Sequence, residues 1–74
     1  MQSQTMTHLP RTIWLLRSCR GLSQQALAVR CRTTRQMVSC WEIGSKQPTV
    51  PSLYRIARAL RVSPAALIEL ARSS

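Results

Sequence analysis

Five short segments of this chain each combine a helix-start signal with apolar residues at helical spacing. In the first segment, Leu9 is followed by Ile13 and Leu16, and Pro10 suits a first turn, where its missing N–H costs nothing. The four later segments each follow a residue whose hydroxyl caps helices well: Ser23, Thr34, Thr49 and Ser63. The polar–apolar alternation that is typical of β-strands does not occur in the sequence. The chain is therefore predicted to be all-α, with five short helices around one core.

The second and third segments are close enough in sequence to form a helix-turn-helix. We predict one helix over Gln24–Arg30, a three-residue turn, and another helix over residues 35 to about 43. In such a motif the later helix presents its exposed side to the major groove of DNA. Val38 and Trp41 are expected to face the core. The side chains expected to face outward are Arg35, Gln36, Ser39 and Cys40, with Met37 at the margin.

The charge of the chain indicates a polyanionic partner. Eleven Lys and Arg residues against two acids give a formal net charge of +9 at pH 7. A charge of this size opposes folding by self-repulsion, and an anionic partner relieves that repulsion. All but one of the cations are Arg, whose planar fork matches phosphates and guanine edges. Charge alone also fits a merely soluble basic protein.

A chain of 74 residues allows one small domain. We predict a flexible N-terminal arm over residues 1–8 and a DNA-binding domain over residues 9–74. The arm does not resemble a secretory signal, and no apolar run approaches the length that spans a membrane. Three Cys residues without a C-x-x-C pair argue against a disulfide framework and for a reducing compartment. The expected location is the cytoplasm.

Catalysis and cofactor binding find little support in the sequence. It has no Gly-rich phosphate loop, no nucleophile triad and no carboxylate pair, so we expect neither an enzyme nor a cofactor. The spacing of His8, Cys19, Cys31 and Cys40 matches no zinc module, and no metal site is expected. Nothing indicates a small-molecule ligand. If Cys40 is exposed beside Arg35, its thiol is either inert or an oxidisable group that would block the groove.

The segment from Gly21 to Pro48 resembles the helix-turn-helix of the phage-repressor family, which includes Cro, the lambda and 434 repressors and Xre-type regulators. The features that carry the resemblance are Gly21-Leu22-Ser23-Gln24, Leu27-Ala28, Thr34-Arg35-Gln36, Val38-Ser39, Trp41-Glu42, Gly44 and Pro48. The similarity then continues through Leu53, Ile56-Ala57, Ala59-Leu60 and Val62-Ser63 to Leu67. It implies a lambda-repressor-like domain of five helices that binds DNA.

The sequence departs from this family at three sites. Arg32 and Arg61 occupy turn positions where the family usually has Gly. If both sites keep a positive φ, each Arg costs on the order of 1 kcal/mol. Either the turns are reshaped, or the strain is tolerated for an extra phosphate contact. Cys31 replaces an aliphatic core residue, where a buried thiol fits.

The resemblance also implies which residues contact bases. Arg35 suits the O6 and N7 atoms of guanine, a contact worth about 1–3 kcal/mol of discrimination, although a phosphate clamp is the alternative. Gln36 suits the N6/N7 edge of adenine or is simply solvated. Cys40 stands where the family often has a longer side chain, and its thiol contacts a thymine methyl or nothing. Ser39 is a further candidate, and Thr34 both caps the helix and is placed to touch DNA.

A second group of residues is implied in contacts to the DNA backbone. Gln24 lies in the first turn of the second helix, where free N–H groups attract phosphate, or it is an ordinary surface amide. Arg32 in the turn, and Lys46 and Gln47 after the third helix, are placed for further phosphates.

Two structural roles follow from the same resemblance. Arg17 and Glu42 are expected to form an ion pair, because similar repressors join an Arg of the first helix to the Glu after the Trp. One short helix contacts few base pairs, so such proteins usually bind as dimers on half-sites about 34 Å apart. The expected dimer interface is the fifth helix, with Leu67, Ile68 and Leu70, unless these residues only close the core.

These features predict a sequence-specific transcriptional regulator of double-stranded DNA. The leading interpretation is a repressor that binds a palindromic operator as a homodimer, with the third helix in the major groove. Activation through an acidic patch is disfavoured, because residues 23–30 contain no acid. One alternative is an antitoxin or adaptor of the same fold whose main partner is another protein. Another is a non-specific nucleoid or RNA binder driven by charge.

Overall fold

The computed structural model describes residues 7–72, and within that range the chain forms five α-helices and no β-strand. The helices are α1 Leu9–Cys19, α2 Gln24–Arg30, α3 Arg35–Ile43, α4 Val50–Ala59 and α5 Pro64–Arg72. The all-α prediction is confirmed, and each of the five helices is too short to span a membrane. Of the predicted arm, residues 1–6 lie outside the described range. The N–H of His8 donates to the carbonyl of Ala71 at 2.9 Å, which ties the end of that segment to α5.

The helices after α1 begin at the predicted cap residues. In each case the hydroxyl accepts a hydrogen bond from the N–H three residues later, which satisfies one of the unpaired donors of the first turn. The pairs are Ser23 with Ala26 (3.0 Å), Thr34 with Met37 (3.1 Å), Thr49 with Ser52 (3.3 Å) and Ser63 with Ala66 (3.0 Å). The local sequence therefore determines where these helices start.

Four helices end in the same hydrogen-bonded turn, and two of these turns hold an arginine in the left-handed conformation. The left-handed residue is Gly21 after α1 (φ 68°), Arg32 after α2 (φ 59°), Gly44 after α3 (φ 82°) and Arg61 after α4 (φ 62°). In each turn the next N–H reaches back five residues, as in Thr33 to Ala28 and Val62 to Ala57, both 2.9 Å. The turns are not reshaped to suit arginine, so each tolerates strain on the order of 1 kcal/mol.

The core is almost entirely aliphatic, and all five helices contribute to it. α3 packs against α1 and α2, α4 packs against α2 and α5, and α5 packs against α1, so α2 lies between α3 and α4. Cys31 at the end of α2 is 2% exposed and fills the aliphatic position as expected. The largest buried side chains are Leu9, Ile13, Leu27, Val38, Trp41, Leu53, Ile56, Leu60 and Leu67.

The prediction of a dimer interface is wrong for Leu67. Its side chain is fully buried within the single chain, where it closes the core together with Ala71. No partner can reach it unless α5 separates from the bundle. Ile68 is half-buried and Leu70 is 47% exposed. α5 therefore divides its apolar residues between the core and the surface.

Candidate nucleic-acid interface

The first turn of α3 presents two polar side chains to solvent. Arg35 and Gln36 are exposed, whereas Val38 is fully buried and Trp41 is 4% exposed. Val38 and Trp41 are three residues apart and share the face that packs on the core, whereas Gln36 lies on the opposite side of the helix. Thr34 is exposed as well, although its hydroxyl is occupied by the helix cap. A helix anchored on one side and bare on the other fits a major groove about 12 Å wide.

Ser39 and Cys40 are less accessible than predicted, since both are half-buried. The carbonyl of Cys40 accepts the N–H of Ser45 at 3.0 Å, which closes the left-handed turn at Gly44 (φ 82°). These two side chains therefore lie at the edge of the exposed surface of α3, and its first turn offers the more accessible hydrogen-bonding groups.

The residues predicted to contact phosphates occupy three separate places. Lys46 and Gln47 are exposed in the loop after α3. Gln24 is half-buried, and its Nε2 donates to Oε1 of Glu42 at 2.9 Å. Because that amide nitrogen has two hydrogens, one remains for another acceptor. Arg32 is exposed and lines a cavity between α2 and α4.

Glu42 joins α3 to both preceding helices. Its Oε2 accepts from Nε of Arg17 at 2.5 Å, and its Oε1 accepts from Nη2 of Arg17 at 3.1 Å as well as from Gln24. The remaining Nη1 of Arg17 donates to the carbonyl of Leu22 at 2.8 Å. The two residues expected to pair are therefore in contact. The sequence analysis missed Gln24 as a third member, because a surface amide looks the same with or without a partner.

The ion pair is well shielded from water. The side chains of Arg17 and Glu42 are 13% and 5% exposed. The hydrogen bond to Glu42 raises the pKa of Arg17 above its ordinary value, burial opposes that change, and the charge of Glu42 adds to it. Arg17 stays charged, and its ion pair with Glu42 holds α3 from the side that faces α1. Such pairs fix orientation more surely than they add stability.

A cluster of positive charge away from α3 was not predicted from the sequence. Arg30, Arg32, Arg55, Arg58 and Arg61 line a cavity of about 520 Å³ between the end of α2 and α4. Arg55 and Arg58 are three residues apart and therefore lie on one face of α4. Their spacing is the one feature of the local sequence that could have indicated this cluster. The other members come from a different helix and from two turns, so only the fold brings the set together.

The three cysteines occupy different environments. Cys19 is exposed, Cys31 is buried and Cys40 is half-buried. Burial raises the pKa of Cys31 to about 11, and the nearby charge of Arg55 opposes part of that change, so its thiol stays neutral at physiological pH. Within residues 7–72, no group of three His, Cys, Asp or Glu residues is placed to hold a metal ion.

An apolar groove remains on the surface between α1 and α5. Leu15 and Leu70 are 41% and 47% exposed, and together with Thr12 and Leu16 they line a cavity of about 200 Å³. Trp14 of α1 is also half exposed. We refer to this surface as the α1–α5 groove. Adjoining apolar side chains in water mark a candidate contact with another chain.

The chain is similar to known proteins in sequence. The HTH_3 family, described as Helix-turn-helix, matches residues 19–67, which include α2 and α3. An uncharacterized HTH-type transcriptional regulator of Sinorhizobium fredii, y4dJ, is 40% identical over 53 residues. That similarity covers 72% of this chain and 69% of the relative.

Solved structures share the fold over most of the chain. The restriction-modification controller protein C.AhdI from Aeromonas hydrophila has a TM-score of 0.79 at 27% identity, over 84% of this chain and 94% of that one. A mutant of the controller protein C.Esp1396I gives 0.81 at 27% identity, over 89% and 86% of the two chains. An HTH_3 family transcriptional regulator from Vibrio cholerae gives 0.79 at 27% identity, over 95% of this chain and 39% of that one.

Proposed function

Because this chain belongs to the HTH_3 helix-turn-helix family, we propose that it is a sequence-specific repressor that places α3 in the major groove of double-stranded DNA. The family itself supplies the coarser function, that of a DNA-binding regulator of transcription. The proposal adds that the first turn of α3 reads bases, that the operator is palindromic and that the protein binds as a dimer.

The observation that best supports base reading is the exposed pair Arg35 and Gln36 on a helix fixed from behind. Val38 and Trp41 anchor α3 in the core, and Glu42 ties it to α1 and α2. A guanidinium fork fits the O6 and N7 atoms of guanine, and an amide fits the N6/N7 edge of adenine. Because the helix is already held in place, little conformational freedom is lost on binding. Thr34, Ser39 and Cys40 add contacts at the margin of this surface.

Contacts to the DNA backbone come from the flanks of α3. Lys46 and Gln47 are exposed just after the helix, and the second amide hydrogen of Gln24 is available at the start of α2. Together they place the duplex along one side of the protein, with α3 between two lines of phosphates. Such contacts set position and orientation and make binding depend on salt.

A dimer is proposed because one exposed helix turn contacts too few base pairs for useful specificity. The α1–α5 groove supplies an apolar surface for it, with Leu70 on α5 opposite Leu15 on α1. A two-fold dimer presents two copies of α3 to half-sites about one helical turn apart. Repression is proposed because residues 23–30 offer no acidic patch, so occupation of the promoter is the simplest effect.

Selection of duplexes from a randomised pool by the full chain tests the proposal. We expect enrichment of two inverted half-sites about 10 base pairs apart, centre to centre. If a scrambled duplex binds as tightly as the enriched one at moderate salt, sequence-specific regulation is excluded. Enrichment of one isolated half-site contradicts the dimer. A stable complex with a second protein that prevents DNA binding supports the antitoxin or adaptor function instead.

A further inference from the structure

The arginine cavity between α2 and α4 concentrates positive charge. Five arginines and Ala59 line it, and no carboxylate of residues 7–72 is among the lining residues. A smaller adjoining cavity of about 240 Å³ adds Arg20 and Leu22 to the set. Nε of Arg20 donates to the carbonyl of Leu60 at 2.7 Å, so this arginine is held in place. More than half of the arginines of the chain thus surround two joined concavities.

Two members of the set occupy strained positions. Arg32 and Arg61 are left-handed, a conformation that glycine adopts without cost, and both line the same cavity. The same helix-ending turn holds a glycine at Gly21 and Gly44, so the two arginine sites differ in residue type and in lining the cavity. Strain that persists in a structure tends to mark function. The strain at these two turns therefore favours a ligand for the cavity.

An apolar groove lies beside the arginine cavity. Tyr54, Val62 and Pro64 line it together with Arg55 and Arg58, and its volume is about 360 Å³. Arg55 and Arg58 line both concavities, so the two lie side by side. Tyr54 is 57% exposed and offers an aromatic face next to the guanidinium groups.

We infer that these two adjacent concavities together bind a free nucleotide with two or more phosphates, its phosphates among the arginines and its base against Tyr54. Guanidinium forks match phosphate oxygens bidentately, and several neighbouring phosphates use several forks at once. The volume of the arginine cavity falls within the range of about 300–1,000 Å³ that is usual for small-molecule sites. Bases stack on aromatic side chains regardless of their identity.

The site is separate from the surface proposed to read DNA. α2 lies between α3 and α4, and no residue of α3 lines either concavity. Arg32, expected from the sequence to contact the operator backbone, is assigned here to the nucleotide. A concave site also suits a compact ligand better than the backbone of a duplex, whose phosphates follow a line. The inference therefore does not depend on the proposed operator.

Calorimetric titration of the full chain with GTP, ATP and inorganic tripolyphosphate, at one fixed ionic strength, tests the inference. We expect a single saturable site and binding of at least one nucleotide five-fold or more tighter than that of tripolyphosphate. Tyr54→Ala is expected to reduce this difference to less than two-fold, because it removes the stacking surface. Equal binding of nucleotides and tripolyphosphate by the unmodified protein overturns the inference.

Two double variants that lose the same positive charge distinguish a specific nucleotide site from general electrostatic attraction of the nucleotide to the protein. Arg55→Ala/Arg58→Ala is expected to weaken nucleotide binding ten-fold or more. Arg35→Ala/Lys46→Ala removes the same charge from the α3 surface and is expected to weaken it less than three-fold. If both variants lose affinity equally, the site is not specific and the inference fails.

A further double variant tests whether any loss of nucleotide binding could come from misfolding. Arg32→Gly/Arg61→Gly removes two guanidinium groups and relieves backbone strain, so its thermal midpoint is expected to rise while its nucleotide affinity falls ten-fold. Unchanged affinity overturns the assignment of these residues. A single-stranded hexanucleotide also carries bases and phosphates, but its phosphates are separate diesters rather than a chain of two or three. If it binds and loses affinity in Arg55→Ala/Arg58→Ala while GTP and ATP do not bind, the free-nucleotide inference is wrong.

Discussion

Arg17 and Glu42 join the first helix to α3 through two hydrogen bonds of 2.5 and 3.1 Å. Glu42 is one of two acids in a chain of net charge +9, and its side chain is 5% exposed. A carboxylate placed this deeply needs a cation and hydrogen-bond donors around it to offset its loss of contact with water. The pair therefore couples the orientation of α3 to the packing of α1.

Removal of one partner from this pair is expected to cost more than removal of both. Arg17→Ala should lower the free energy of unfolding by about 2–4 kcal/mol, because Glu42 keeps only Gln24 as a donor. Arg17→Met/Glu42→Leu should cost clearly less, since it leaves no buried charge unpaired. Urea unfolding of the three proteins measures the difference. Equal losses in the single and double variants would show that an unpaired charge is not the cause.

Glycine at a left-handed turn is expected to stabilise the protein. Arg32→Gly should raise the free energy of unfolding by up to about 1 kcal/mol, because relief of strain exceeds the entropy that glycine adds to the unfolded chain. Arg30→Gly removes the same charge from the same cavity, but at a helical position, and should cost about 1 kcal/mol. Thermal and urea unfolding compare the two. A destabilised Arg32→Gly would contradict the strain at this turn.

The helix starts and the helix-turn-helix were predictable because their causes are local. A hydroxyl at Ser23 or Thr34 bonds to an N–H three residues later, and the spacing of Val38 and Trp41 places both on one face. The family resemblance added the pairing of Arg17 with Glu42, which no local rule supplies. The helix starts and the buried face of α3 can be recognised from a few neighbouring residues, without knowledge of how the helices pack.

Contacts between distant segments could not be predicted in the same way. Leu67 was placed at a surface because helical spacing marks an apolar face without saying what covers it. The arginine cavity joins α2, α4 and two turns, and their proximity depends on how the helices pack. Gln24 bonds to Glu42 because α2 and α3 meet at that point, which its own helix does not reveal.

Arg35 and Lys46 are expected to affect DNA binding in different ways. Arg35→Ala should lower discrimination at one guanine position by about 1–3 kcal/mol. Lys46→Ala should weaken binding to all duplexes similarly and reduce the salt slope by about one. Both side chains are exposed, so neither change should alter the fold. Competition binding against single-base operator variants at several salt concentrations measures both effects. An Arg35→Ala protein with unchanged base preference would exclude it as a base reader.

The buried thiol of Cys31 is expected to make stability fall at alkaline pH. Burial raises its pKa from an ordinary value of 9.0 to about 11, so the folded state holds the proton more tightly than the unfolded state. The stabilisation is complete below pH 9 and is lost as pH rises through 11, on the order of 2 kcal/mol in all. Cys31→Val keeps Cys19 and Cys40 as internal controls. Cys31→Val should lose less stability than the unmodified protein between pH 9 and 11. An equal loss in the two proteins would show that ionisation of Cys31 is not the cause.

A negative charge in the α1–α5 groove is expected to separate the proposed dimer. Leu70 is 47% exposed beside Leu15, and a two-fold contact there would remove both side chains from water. Leu70→Glu would place a carboxylate in that contact without touching Leu67 in the core, so the fold should persist while the dimer dissociates. Val29→Glu is the matched control, because Val29 is 64% exposed on α2 and outside the groove. Sedimentation on and off a palindromic duplex should show a ten-fold or greater loss of association for Leu70→Glu only. Equal association of both variants would place the interface on another face of the bundle.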